Sequence, residues 1–131
     1  MLARGYRDLK VWGKAMDFAE GVYALSRSLP REERFGITGQ LLRAAASVPA
    51  NIAEGYQRST RKDFAHFVSI ARGSLAESET FLLLAERVGL APPEALQDVL
   101  RQADEISRML TRLRQRLNQP PRLSSPISHP S

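Results

Sequence analysis

Apolar residues recur at intervals of three and four through four stretches of this chain, with no sustained alternation at intervals of two. That spacing places them on one side of a 3.6-residue helix, so the pattern predicts four helices and no sheet. The first helix is expected from Asp8, as N-cap, to about Ser28. In it Trp12, Met16, Ala19 and Tyr23 form one stripe, and Val11, Ala15, Phe18, Val22 and Leu25 form a second roughly 100° away. A polar turn around Pro30 closes it, and a second helix begins between Phe35 and Thr38 and reaches Tyr56. Thr60 and Asp63 carry a capping signal for a third helix, which Gly89 ends as a C′ glycine. Its faces are Phe64, Val68, Ala71, Leu75, Ser78, Leu82 and Ala85, and beside them Phe67, Ile70, Ser74, Phe81, Leu84 and Val88. Pro92 and Pro93 open a fourth helix, where Leu96, Val99, Ala103, Ile106, Leu110, Leu113 and Leu117 make a bundle seam.

The second helix places unlike demands side by side. Ile37, Leu41, Ala44, Ala45, Val48, Ile52 and Gly55 make a buried face, while Gln40, Arg43, Ser47, Asn51, Glu54 and Arg58 line the neighbouring edge with hydrogen-bonding groups. Pro49 falls inside, where a proline costs roughly 3 kcal/mol unless compensated. Small residues here admit a close neighbour, expected to be the Gly73 and Ser74 region of the third helix. Asn51, Glu54 and Arg43 are expected to tie this helix to its surroundings.

Short connections between consecutive helices predict an all-α, antiparallel up-down-up-down four-helix bundle. The expected organisation is an irregular lead-in at 1–7, the bundle at 8–118 and a disordered tail at 119–131. The first and third helices carry more apolar face than one bundle can bury. Self-association follows as an expectation, with Phe18 or Phe67 facing a neighbouring copy.

Composition changes the picture in three ways. No apolar run approaches the roughly 18 residues of a spanning helix, and the charged segment from Ala3 to Lys10 lacks the pattern of a secretory signal, so a cytoplasmic protein with no membrane partner is expected. The absence of cysteine excludes disulfides and thiolate chemistry. A formal net charge of +5 favours polyanionic partners. The cations cluster at Arg58, Arg61 and Lys62, and again at Arg108, Arg112 and Arg116, where no acid interrupts the run from Ile106 to Leu117. Cations near a helix C-terminus also offset its dipole, which gives part of the second cluster a structural role.

No catalytic constellation converges in this sequence. Asp63 and His66 have the spacing of a bundle metal site, but the second such pair and the facing carboxylates are missing, so no metal, cofactor or enzymatic activity is expected. Gly36 to Gly39 lacks the strand and the lysine of a phosphate loop. No recognition-helix motif, aromatic RNA platform or zinc finger is present.

Several segments carry a family resemblance: Asp8 to Trp12 with Ala15; Gln40 with Arg43 and Ala44; Ser47 to Gly55, with Pro49, Asn51 and Glu54; Phe64 to Phe67; and Gly73 to Glu77. From Tyr6 to Leu117 the chain resembles the four-helix-bundle proteins encoded in intervening sequences of bacterial 23S ribosomal RNA genes. The resemblance implies a homopentameric ring and a role with nucleic acid. The architecture is also similar to that of the accessory variability determinant proteins of diversity-generating retroelements, which implies a reverse transcriptase as a protein partner. The expectation is a non-enzymatic oligomer binding RNA or DNA through phosphate contacts from the two arginine and lysine clusters. The alternative is a protein-interaction scaffold or accessory subunit.

Overall fold

Proline, glycine and one threonine cap divide residues 5–120, those described by this computed structural model, into four α-helices. These are α1 (Lys10–Ser26), α2 (Ile37–Tyr56), α3 (Arg61–Arg87) and α4 (Pro93–Asn118), with 3-10 turns at Gly5–Asp8 and Arg31–Glu33. Among the described residues there is no strand. Thr60 caps α3 by accepting the Asp63 backbone N–H at 3.1 Å. At its other end Gly89 takes φ +80°. Leu90 N–H then donates to Ala85 O at 2.8 Å and Gly89 N–H to Glu86 O at 3.1 Å, the pairing that satisfies the last carbonyls. Pro93 occupies the first turn of α4, where its missing N–H costs nothing.

The beginning of the chain differs from expectation. Asp8 does not cap α1; it ends the Gly5–Asp8 turn, and Leu9 takes the N-cap position without a side-chain bond. Leu9 is buried, so packing rather than capping sets where the helix starts. Gly5 to Arg7 are likewise not irregular: Leu9 N–H donates to Tyr6 O, and the Tyr6 ring meets Trp12 edge-on at 5.3 Å. Of the expected tail at 119–131, residues 121–131 lie outside the described residues, as do residues 1–4.

Each helix packs against the next, and α4 closes back on α1; the backbones of the diagonal pairs α1/α3 and α2/α4 stay apart. Contacts run in opposite chain directions across every seam. Ser47 meets Ser74 while Gly55 meets Phe64 and Phe67. Lys14 pairs with Glu105 while Gly21 abuts Val99. The protein is therefore an all-α antiparallel four-helix bundle, with α1 and α3 starting, and α2 and α4 ending, at one shared end.

Phe18, Leu41, Ile52, Phe64, Leu75 and Ile106 fill the core, all below 2% exposed. This removes Phe18 as a residue facing another copy, because the second expected stripe of α1, the one that holds it, turns inward. The other stripe stays partly outside, with Met16 43% and Tyr23 47% exposed. On α3 the surplus face leaves Ile70 at 38%, Leu84 at 43% and Val88 at 59%, and Phe67 is half-buried. Because α1 and α3 sit at diagonal corners, these edges cannot cover one another within one chain.

Candidate nucleic-acid interface

The α2/α3 seam is made from the motif that the sequence singles out. A Cβ on Gly55 would lie 2.7 Å from Phe67 Cβ and 3.0 Å from Phe64 Cδ1, so the glycine is what allows the helices to approach. One side of the seam is polar. Asn51 Nδ2 donates to both Ser47 O and Ser47 Oγ at 2.8 Å, spanning the turn that contains the buried Pro49. Ser74 Oγ then donates to Ser47 Oγ at 2.9 Å, and Ser78 Oγ to Ser74 O at 2.9 Å. This network binds α2 to α3 with neutral groups on short side chains, whose ordering costs little entropy.

The rest of the polar edge faces outward. Gln40, Arg43 and Glu54 are exposed, and Glu54 pairs with Arg58 at 3.2 Å on the same helix. Glu54 and Arg43 therefore do not tie α2 to its neighbours, because the stripe turns toward solvent on either side of the Ser47 to Asn51 turn. The Gly73 expectation fails for the same geometric reason: Ser74 faces α2, whereas Gly73, about 100° around the helix, points to open space.

The two basic clusters meet at the end where α1 and α3 begin. The Arg61 guanidinium donates to the Arg116 backbone carbonyl at 2.5 Å, joining the first turn of α3 to the last turn of α4 across 55 positions of sequence. The shared end thus gathers Arg58, Arg61, Lys62, Arg112 and Arg116. The cations there are held differently. Arg58 lies over the Phe67 ring at 4.7 Å and pairs with Glu54. Arg108, farther along α4, is bound by Asp104 and has its charge offset there. Among the described residues neither Lys62 nor Arg112 is in an ion pair, and both are exposed.

Electrostatics makes Lys62 the informative residue. The N-terminus of a helix carries partial positive charge, so a lysine in the first turn of α3 works against the helix by a few tenths of a kcal/mol. Arg61 escapes that conflict by bonding the negative end of α4, whereas Lys62 has no such partner. The opposite end of the bundle is mixed, with Arg31, Arg34 and Arg87 interleaved with Glu32, Glu33 and Glu86.

Other chemistry is thin. His66 is exposed beside the Phe67 ring, and among the described residues no three of the possible ligands cluster to hold a metal. Glu79, on α3, has its carboxyl raised above the ordinary range by burial and then by the charge of Asp104 on α4. Among the described residues no helix is long and apolar enough to cross a membrane. Sequence reasoning placed Ser74 against α2 but missed its hydrogen bond to Ser47, and it missed the Arg116 carbonyl, which has no side-chain signal at all.

Comparison with known proteins agrees with this architecture. A crystal structure of a protein with unknown function from the S23 ribosomal protein family of Bacteroides thetaiotaomicron matches with a TM-score of 0.75 at 28% identity, covering 80% of this chain and 98% of that one. No curated protein matches. Residues 7–112 match the model of the 23S rRNA-intervening sequence protein family, and the chain belongs to that family.

Proposed function

We propose that this member of the 23S rRNA-intervening sequence protein family is a non-enzymatic cytoplasmic oligomer that binds RNA or DNA by its phosphates, at the end of the bundle where the two basic clusters meet. The observation that carries this reading is the pair of unpartnered cations at that end. Lys62 opposes its own helix dipole and Arg112 has no carboxylate, so folding accounts for neither. Arg58, Arg61 and Arg116 surround them and supply further positive field.

One copy offers few contacts, and oligomerisation multiplies them. A homopentamer, the state implied by the family resemblance, would present five basic ends to one strand, raising avidity without a new contact. The apolar edges left open on α1 and α3 support association. Binding through phosphates is tolerant of sequence and falls with salt, by a log-log slope of roughly −0.7 per contact on a single strand.

The test is fluorescence anisotropy of labelled single-stranded RNA and DNA with nuclease-treated protein. Lys62→Glu with Arg112→Glu should weaken binding at least tenfold and flatten the salt slope while light scattering shows assembly unchanged. Arg108→Glu should do less, because Asp104 already offsets that charge. Absence of binding by the assembled protein at about 50 mM salt, where phosphate contacts are strongest, would overturn the reading. The second reading, a scaffold or accessory subunit for a nucleic-acid enzyme such as a reverse transcriptase, would then take its place. It is favoured by the apolar residues left exposed at the opposite end, Leu83, Leu84 and Val88.

A further inference from the structure

Arg58 is held in a way that a cation serving phosphates alone does not require. Its guanidinium lies over the Phe67 ring, 4.7 Å from the centroid, and Glu54 Oε2 accepts from Nη2 at 3.2 Å. The backbone beneath it is fixed as well. Arg58 N–H donates to Gly55 O at 3.1 Å, and Gly55 is the residue that lets Phe67 come close. Ring, carboxylate and turn together set the plane of the group. A phosphate needs none of this, because a lysine such as Lys62 meets it as a point charge, and Glu54 subtracts from the charge that a phosphate would see.

What the arrangement supplies is a flat surface. A guanidinium is planar, weakly hydrated and prone to stacking; with Phe67 behind it, its outer face is turned to solvent, and the side chain is 45% exposed. Such planes take unpaired nucleobases by stacking. The borders suit the same ligand. Exposed His66 meets the edge of the Phe67 ring at 5.5 Å, and Lys62 lies one helical turn before His66 on the same side of α3. At the opposite end of the bundle Arg34 lies over Phe35 at 5.5 Å, but that ring is 92% exposed and Glu32 and Glu33 precede the pair. It has neither the packed support nor the positive surroundings.

We infer that the basic end takes single-stranded nucleic acid, with an unpaired base stacked on the outer face of Arg58 and an adjacent phosphate on Lys62. This rests on the proposed nucleic-acid reading and narrows its ligand to strands with open bases. In a duplex each base face is covered by its neighbours, so the plane has nothing to stack on, whereas phosphate contacts alone favour the duplex for its denser charge. Glu54 becomes a positioning residue that fixes the guanidinium plane. No local stretch of sequence writes this platform, because Arg58 and Phe67 meet only when the end of α2 turns onto α3.

The test compares three fluorescent probes by anisotropy with the full, nuclease-treated chain. They are an oligodeoxyadenylate, an abasic strand with the same number of phosphates, and the oligodeoxyadenylate paired with its complement. The parent should bind the intact strand about fivefold or more tighter than the abasic one, and tighter than the duplex. Arg58→Lys keeps the charge and removes the plane, so it should bring the intact strand down to the abasic level while leaving abasic affinity in place. Lys62→Glu should weaken both strands alike, and Arg34→Lys should change neither. A base preference that survives Arg58→Lys would overturn the inference, as would a duplex bound more tightly than the single strand. Equal affinity for intact and abasic strands sinks only this inference and leaves the phosphate reading standing. A base preference with a flat salt slope sinks only the phosphate reading, and no binding to any probe sinks both.

Discussion

The α2/α3 and α1/α4 seams belong to one bundle and are built from different materials. Across α2/α3 the facing groups are small or neutral, and the backbones approach closely enough that Gly55 has no room for a methyl group. Across α1/α4 the facing groups include charges on long side chains. Lys14 pairs with Glu105 at 3.2 Å near solvent, Gln102 Oε1 finds no partner, and a cleft of about 130 Å3 opens between Asp17, Arg101 and Gln102. That seam closes to tight contact at Gly21, where a Cβ would meet Val99 Cγ1 at 3.1 Å. Short neutral hydrogen-bonding groups let helices come close with little desolvation, whereas long charged groups keep their heads in water and hold the helices apart.

The sharpest break of this contrast is Gly55→Val, which should destabilise by about 3 kcal/mol or more, since the clashing atoms are the Phe67 Cβ, the buried Phe64 ring and the Phe64 carbonyl rather than flexible ends. Chemical denaturation gives the value. Next, Asn51→Ala removes both bonds to Ser47 beside the proline turn and should lose about 1–2 kcal/mol. Ser74→Ala combined with it should be less than additive if one network is shared. Gly73→Ala provides the opposite sign: with open space around it, the substitution should gain about 0.5–1 kcal/mol from helix propensity alone.

Smaller effects are expected where charges face water. A double-mutant cycle of Lys14→Gln and Glu105→Gln should return a coupling of about 0.5 kcal/mol or less. A coupling well above that would make the α1/α4 seam as specific as its counterpart. In the α3/α4 seam Glu79 has a folded-state pKa raised above its ordinary 4.5. The folded protein therefore holds this proton more tightly than the unfolded chain, and stability declines as pH rises from about that value through the raised one. Glu79→Gln, which keeps the group neutral, should raise the melting temperature at pH 7 and leave it nearly unchanged at pH 4.

Much of the bundle was legible because the helical period writes burial directly into spacing. Leu96 to Leu117 lie buried as a single stripe, and Thr60 and Gly89 mark ends that the backbone confirms. The start of α1 was not legible, because Asp8 is a good capping residue locally while the burial of Leu9 is a tertiary fact. Nor could spacing decide which of two apolar stripes turns inward, so Phe18 and Met16 looked alike and only one is core. The basic residues were readable one cluster at a time. Their meeting at Arg61 and Arg116 depends on how two distant helices dock, which local sequence does not encode.

The order in which the helices touch also bears on how the chain folds. Every seam but one joins elements adjacent in sequence, so most contacts close short loops and form with little chain entropy to overcome. Emerging from the ribosome, α1 to α3 can pair as they appear, beginning with the α1/α2 hairpin. Only docking of α4 onto α1 must wait until nearly the whole chain is out. Until then the inward faces of both lie open, and the last seam to form is also the least tightly made, the place where an unfinished chain is most exposed to wrong partners.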